Sequence, residues 1–220
     1  LNATAILPVK RFARAKTRLV ADIGPPGRAL LLRAMLSDVL VALDAAARIE
    51  RVIVVTGEGR AERIAMERAK RARTPIEVLQ DPEDRGHSEA AVLGIIRAKA
   101  LGANCCGLLP GDCPLLDPAE LDDALERLSD GTVAVVPDRH GSGTNALLMY
   151  PGDAIGPAFG EASCARHLDR AERAGWTAER WEIASLKLDL DTADDLVELR
   201  KALSADPSCA PATAAALEEL

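Results

Sequence analysis

Strand-length apolar runs that alternate with helical stretches over short connections constrain this chain more than any other feature. Ala3–Val9 (ATAILPV) barely alternates apolar with polar, so it reads as a strand buried on both faces. Arg51–Thr56 (RVIVVT), Pro75–Leu79, Asn104–Leu109 and Thr132–Val136 read as four more strands. Between them, Arg28–Ala47 carries Leu31, Leu32, Met35, Leu36, Val39, Leu40 and Leu43 at helical spacing, and Arg60–Ala72, His87–Leu101 and Pro118–Leu128 are also helical. Such alternation predicts an α/β fold with a mostly parallel, doubly wound (Rossmann-like) sheet. Aromatic residues make up only 2% of the chain, so Ala, Leu, Val and Ile must fill the core.

Beyond Val136 the pattern changes. Pro137–Asn145 is a Gly-rich polar loop leading into Ala146–Tyr150, and Gly156–Gly160 is a second loop, opening a helix from near Ser163 to about Ala174. Thr177–Ile183 and Ser185–Leu190 read as short strands. Asp191–Asp195 caps a last helix reaching about Leu203. The expectation is one domain over residues 1–203, followed by an Ala- and Pro-rich tail or weak helix at 204–220.

Several function classes are disfavoured by composition. No apolar run approaches the roughly 18 residues that span a bilayer, and nothing at Leu1 resembles a signal peptide. A net charge of −7 argues against nucleic-acid binding. Five cysteines without paired CxxC spacing argue against a zinc site or a disulfide framework, so a cytoplasmic location is expected.

Two features carry chemistry. Lys10-Arg11-Phe12-Ala13-Arg14-Ala15-Lys16-Thr17-Arg18 places five cations in nine positions with no acid, directly after the first strand. It is neither a GxxxxGK[ST] loop nor a GxGxxG fingerprint, but it is a candidate anion site, or else a solvated basic helix face. Leu108-Leu109-Pro110-Gly111-Asp112-Cys113-Pro114 ends a buried strand on a lone acid, with Asp117 and Pro118 opening the next helix. Asp112 stands where open α/β sheets bind ligands, either as a carboxylate presented to a metal or phosphate or as a turn acid bonded to nearby N–H groups. The carboxyl ends of parallel strands share one edge. There the basic loop, Asp112, the Gly-Ser-Gly-Thr-Asn turn and Asp189/Asp191 should meet. Cations beside isolated carboxylates suggest a Mg²⁺–phosphate site. Backbone N–H groups at Gly143-Thr144 and at Gly160–Ser163, the latter at a helix N-terminus, suit an anion.

Leu7-Pro8-Val9-Lys10 with Ala15-Lys16-Thr17-Arg18-Leu19, PGDCPLL at 110–116, GSGTNALL at 141–148, FGEASCARH at 159–167 and LDLDTADDL at 188–196 together resemble one enzyme family. It is the guanylyltransferases that begin coenzyme F420 side-chain assembly. The resemblance spans roughly residues 3–200 in the family's order, and implies a three-layer α/β/α nucleotidyltransferase-type fold. It also implies the substrates GTP and a phosphorylated three-carbon acid, namely 2-phospho-L-lactate, phosphoenolpyruvate or 3-phospho-D-glycerate. Carried over by position, Lys16 and Asp112 are catalytic, and Lys10, Lys16, Arg18 and Gly86 hold the nucleotide. Thr144, Gly160 and Ser163 hold the acid, while Asp112, Asp189 and Asp191 bind Mg²⁺. A homodimer and hand-off of product to the next enzyme of the pathway remain open. One departure stands at 86–90: the family's Gly-Leu-Asn-Ala-like turn reads Gly86-His87-Ser88-Glu89-Ala90 here, with His87 expected at an exposed helix start.

The implied reaction joins GMP to the acceptor's phosphate and releases pyrophosphate. A phosphate monoester with a second pKa of about 6 is already ionised at neutral pH, so no general base is needed. That agrees with a chain of three histidines and no evident Ser-His-Asp or Cys-His set. The competing readings are another nucleotidyltransferase, of the sugar-nucleotide or molybdopterin guanine dinucleotide type, and a GTP-binding module without catalysis.

Overall fold

A computed structural model describes residues 1–12 and 20–220 of the chain. Seven strands form one sheet: β1 (Ala3–Val9), β2 (Ile49–Thr56), β3 (Ile76–Gln80), β4 (Cys105–Leu108), β5 (Thr132–Pro137), β6 (Thr144–Tyr150) and β7 (Thr177–Arg180), in the order β3-β2-β1-β4-β6-β5-β7. All neighbours run parallel except β6, which is antiparallel to both β4 and β5. That reversal puts the first residues of β6 at the edge where its neighbours end.

The helices are α1 (Val20–Ala45), α2 (Gly59–Ala69), α3 (His87–Ala100), α4 (Pro118–Arg127), α5 (Ser163–Arg173), α6 (Ala193–Ala205) and α7 (Pro211–Glu218). The pleat of β1 divides the core. Ala5 and Leu7 face a cluster built from α1, α2, α4, α6 and α7, and Ile6 faces one built from α3 and α5. Because every β1 side chain from Ala3 to Pro8 is buried, the strand needs an apolar residue on both faces, which is why its sequence does not alternate. The result is the expected α/β/α layering. Within α1 the helix is broken at Gly24 (φ 63°, ψ 171°), ahead of Pro25 and Pro26.

One expectation fails. Ser185–Leu190 is not a strand. It is a single 3₁₀ turn at Ala184–Leu186 followed by irregular backbone. Side chains take up its polar backbone groups: Ser185 N–H donates to Glu120 Oε2 (2.8 Å), and the Leu186 carbonyl accepts from Asn145 Nδ2 (2.7 Å). Of the two alternatives for 204–220, the helix is present as α7, which packs on α1. Ala210, Thr213, Ala216 and Leu217 are buried, and Asp38 in the middle of α1 accepts from the N–H groups of Ala212 and Thr213 and from Thr213 Oγ1 (3.1, 2.7 and 2.6 Å). Asp38 supplies acceptors to the first turn of α7, whose leading N–H groups have no partner in their own helix.

Candidate active site

A cleft of about 1030 Å³ opens at the edge where β1 and β4 end and β6 begins. Lys10, Asp112, Thr144, Gly160, Ser163, Asp189 and Asp191 all line it, so the structure brings seven of the ten expected residues together. Gly86 is not among the lining residues. It stands one residue before α3 with φ 132°, its carbonyl accepting from Ala90 N–H (3.0 Å), and His87, Ser88 and Glu89 face the cleft instead. Lys16 and Arg18 lie outside the described residues.

Asp112 sits in the turn that follows β4. Beside it Cys113 is fully buried and its Sγ–H donates to the Leu186 carbonyl (3.8 Å), so it shapes the turn. Asp117 caps α4 as expected, its Oδ1 accepting from Ala119 N–H (2.8 Å). Asn145 reaches across from β6. Its Nδ2 donates to the Leu186 carbonyl and to Asp189 Oδ1 (3.2 Å), tying the start of β6 to an expected metal ligand. Six residues further on, Asp195 Oδ2 accepts from the N–H groups of Asp191 and Thr192 and from Thr192 Oγ1 (3.0, 2.7 and 2.8 Å). Thr192 and Asp195 thereby form a reciprocal cap on α6. Arg139 Nε closes this arrangement 2.7 Å from Asp195 Oδ1.

The two anion-type turns form one unit. Asp138 Oδ1 accepts from Ser142 N–H (3.0 Å), and its other oxygen lies so close to Gly143 that a Cβ there would sit 2.5 Å from it, so a side chain at 143 would force the Asp138 carboxylate to move. The Ser142 carbonyl accepts from Cys164 N–H at the start of α5 (3.1 Å). Ser163 N–H donates to the Gly160 carbonyl (3.1 Å), so that amide stabilises the turn instead of pointing at a ligand. The turn runs through Ala162 in the left-handed region (φ 51°), costly for a residue with a Cβ. Arg166 holds the 158–161 backbone from outside, donating to the carbonyls of Ala158 (3.0 Å), Phe159 and Glu161.

His87 is half-buried against Phe159, edge-on at 4.6 Å between ring centroids, and is therefore not the water-exposed residue expected at a helix start. Ser88 Oγ accepts from Phe159 N–H (3.0 Å). The two residues that depart from the family's turn thus hold the loop before α5. Phe159 also meets His167, with ring centroids 5.2 Å apart. His167 is fully buried, and burial together with the charges of Arg170 and Arg166 pushes its imidazole down to about 4.

The model of the family described as "Guanylyl transferase CofC like" matches residues 3–202. The chain belongs to the CofC-like guanylyltransferases. A phosphoenolpyruvate guanylyltransferase from Conexibacter woesei is 42% identical, covering 100% of this chain and 97% of its own length. A 3-phospho-D-glycerate guanylyltransferase from Phenylobacterium zucineum is 36% identical over 99% and 96%. A solved structure from Desulfovibrio desulfuricans G20, described as a nucleotide-diphospho-sugar transferase, superimposes with a TM-score of 0.73, covering 100% of this chain and 95% of that one at 19% identity. That likeness shows the nucleotidyltransferase fold.

In this CofC-like site, sequence reasoning missed Asp138, Arg139, Asn145 and His167, and gave Asp195 only as part of the cap on the last helix. Asn145 and His167 lie inside the motifs GSGTNALL and FGEASCARH, so the signal was there without a role attached. Arg139 gave no signal, because its partner lies 56 positions away.

Proposed function

We propose that the chain transfers GMP from GTP to the phosphate oxygen of a phosphorylated three-carbon acid, releasing pyrophosphate, in coenzyme F420 biosynthesis. Phosphoenolpyruvate is the leading acceptor, since the 42% identical relative bears that name over the full length. The observation that carries the reading is the convergence of Lys10, Asp112, Thr144, Gly160, Ser163, Asp189 and Asp191 on one cleft from five separate segments.

The electrostatics of the cleft supports a divalent cation. Among the described lining residues there are six carboxylates, Glu89, Asp112, Asp138, Glu161, Asp189 and Asp191, against the single cation Lys10. Such a surface repels two phosphorylated substrates unless positive charge is added. Lys16 and Arg18 would supply part of it. No cluster of three or more His, Cys, Asp or Glu around one point occurs among the described residues, but Mg²⁺ needs only one or two carboxylates when substrate phosphates complete its shell. Oxygen-only donors on one cleft fit that ion, with Asp112 and either Asp189 or Asp191 as its ligands. When bound, Mg²⁺ supplies Lewis-acid stabilisation of charge on phosphate oxygens.

The remaining work belongs to binding and orientation. Lys10 and Lys16 hold the nucleotide phosphates and neutralise the leaving pyrophosphate. Thr144, Gly160 and Ser163 hold the acceptor, whose phosphate is ionised without help from a base.

Pyrophosphate release from GTP, measured with phosphoenolpyruvate, 3-phospho-D-glycerate and 2-phospho-L-lactate in turn, tests the reading. Release with one of the three is expected. Release only with a sugar phosphate would assign a different nucleotidyltransferase, and GTP binding without release under any acceptor would leave a binding module.

A further inference from the structure

His167 has both ring nitrogens committed. Ala158 N–H, which can only donate, points at Nε2 at 2.8 Å, so Nε2 presents a lone pair. A neutral imidazole carries one proton, and it must therefore reside on Nδ1. Nδ1 lies 3.0 Å from Thr144 Oγ1. The Thr144 oxygen thus accepts from His167, and its own hydroxyl proton is left to donate elsewhere. Thr144 lines the cleft, while His167 is fully buried behind it.

We infer that His167 is a positioning residue that fixes the Thr144 hydroxyl as a donor, selecting an anionic, acceptor-only oxygen of the three-carbon acid at that point in the cleft. Without the Nδ1–H donor the hydroxyl could turn inward and present a lone pair to the ligand, which repels a carboxylate or phosphate oxygen. The fully buried ring and its bond to Ala158 N–H keep the tautomer fixed while ligands come and go. The same ring supports the 156–160 loop through Ala158 and Phe159, so one side chain couples donor polarity to the loop that carries Gly160. The inference rests on the proposed role of Thr144 in holding the acid.

Two amide substitutions separate the two nitrogen atoms. His167→Asn places an N–H donor where Nδ1 stands and lacks the Nε2 acceptor. His167→Gln does the reverse, offering an acceptor to Ala158 and no donor to Thr144. With GTP saturating and the three acids as probes, His167→Gln should raise the acid KM about tenfold, the size of one charge-assisted hydrogen bond. His167→Asn should recover most of that loss, and the GTP KM should stay put in both. In a His167→Gln background, Thr144→Val should add little. Melting curves of each variant separate these effects from loss of fold. Independently of activity, long-range ¹⁵N–¹H spectra of the imidazole should show a protonated Nδ1. A protonated Nε2, or equal acid KM values for the Asn and Gln variants, would overturn the inference. If no acid supports turnover, the functional reading fails while the tautomer spectrum still decides this one.

Discussion

Arg139 Nε stands 2.7 Å from Asp195 Oδ1, and the other oxygen of that carboxylate accepts from the N–H of Asp191, an expected magnesium ligand. The β5–β6 loop and the loop before α6 are therefore held by one buried acid, whose side chain is only 4% exposed. Asp195→Ala removes the acceptor for four donors and leaves Arg139 without its partner, so it should cost about 3 kcal/mol or more of stability. Arg139→Met leaves the three internal donors to Asp195 in place and should cost about 1 kcal/mol. Urea denaturation would check the order. Equal losses in the two variants would mean that the ion pair, and not the cap on Asp191, dominates.

Asp112 and the cation are tested together. Asp112→Asn keeps the shape of the turn but removes a charge from the cleft, so turnover should fall by about 100-fold or more while the melting temperature barely moves. Chelation of divalent ions should abolish wild-type turnover, and added Mg²⁺ should restore it. An Asn variant with wild-type turnover and unchanged magnesium requirement would remove Asp112 from the metal site.

Strands buried on both faces were legible because the pleat leaves no polar alternation to misread, as in β1 and β2. The edge on which the site lies followed from parallel connectivity. What failed was decided by distant partners. Ser185–Leu190 alternates apolar and polar residues like a half-buried strand, yet Glu120 and Asn145 take its backbone groups and no strand among the described residues pairs with it. The antiparallel course of β6 has no signature in its own residues, although it carries Thr144 and Asn145 to the cleft. His167 went unassigned for a similar reason: its partners at 144 and 158 have no pattern in the sequence, and only geometry shows both nitrogen atoms engaged.

Asp38 makes the same point at the other end of the chain, since its partners lie 174 and 175 residues away. Burial raises its carboxyl pKa, while the hydrogen bonds from Thr213 and Ala212 work against that rise. Asp38→Ala should strand the buried donors of α7 and cost about 2–3 kcal/mol. Limited proteolysis should then cut near 205–211, before the helix. Below the melting transition, kcat per folded molecule should match the wild type, because Asp38 does not line the cleft. An unaltered melting temperature would show that apolar packing alone seats α7.

The imidazole of His167 sets a pH dependence with a definite sign. Its folded pKa, held down to about 4 by burial and by Arg170 and Arg166, lies below the ordinary value of 6.5. Above pH 6.5 both folded and unfolded chains are neutral at this residue, and its contribution is fully present. Between about pH 6.5 and 4 the unfolded chain takes up a proton that the folded one excludes, so stability falls by about 1.4 kcal/mol per pH unit. Below about pH 4 both states are protonated and the loss levels off. The carboxylates titrate over part of this range too, so the comparison must be with His167→Asn, which lacks only this group. The gap in unfolding free energy between wild type and variant should shrink steadily as pH is lowered from about 7 to 5. A gap independent of pH would mean that the buried ring accepts a proton in the folded state, and would place a charged imidazole beside Thr144.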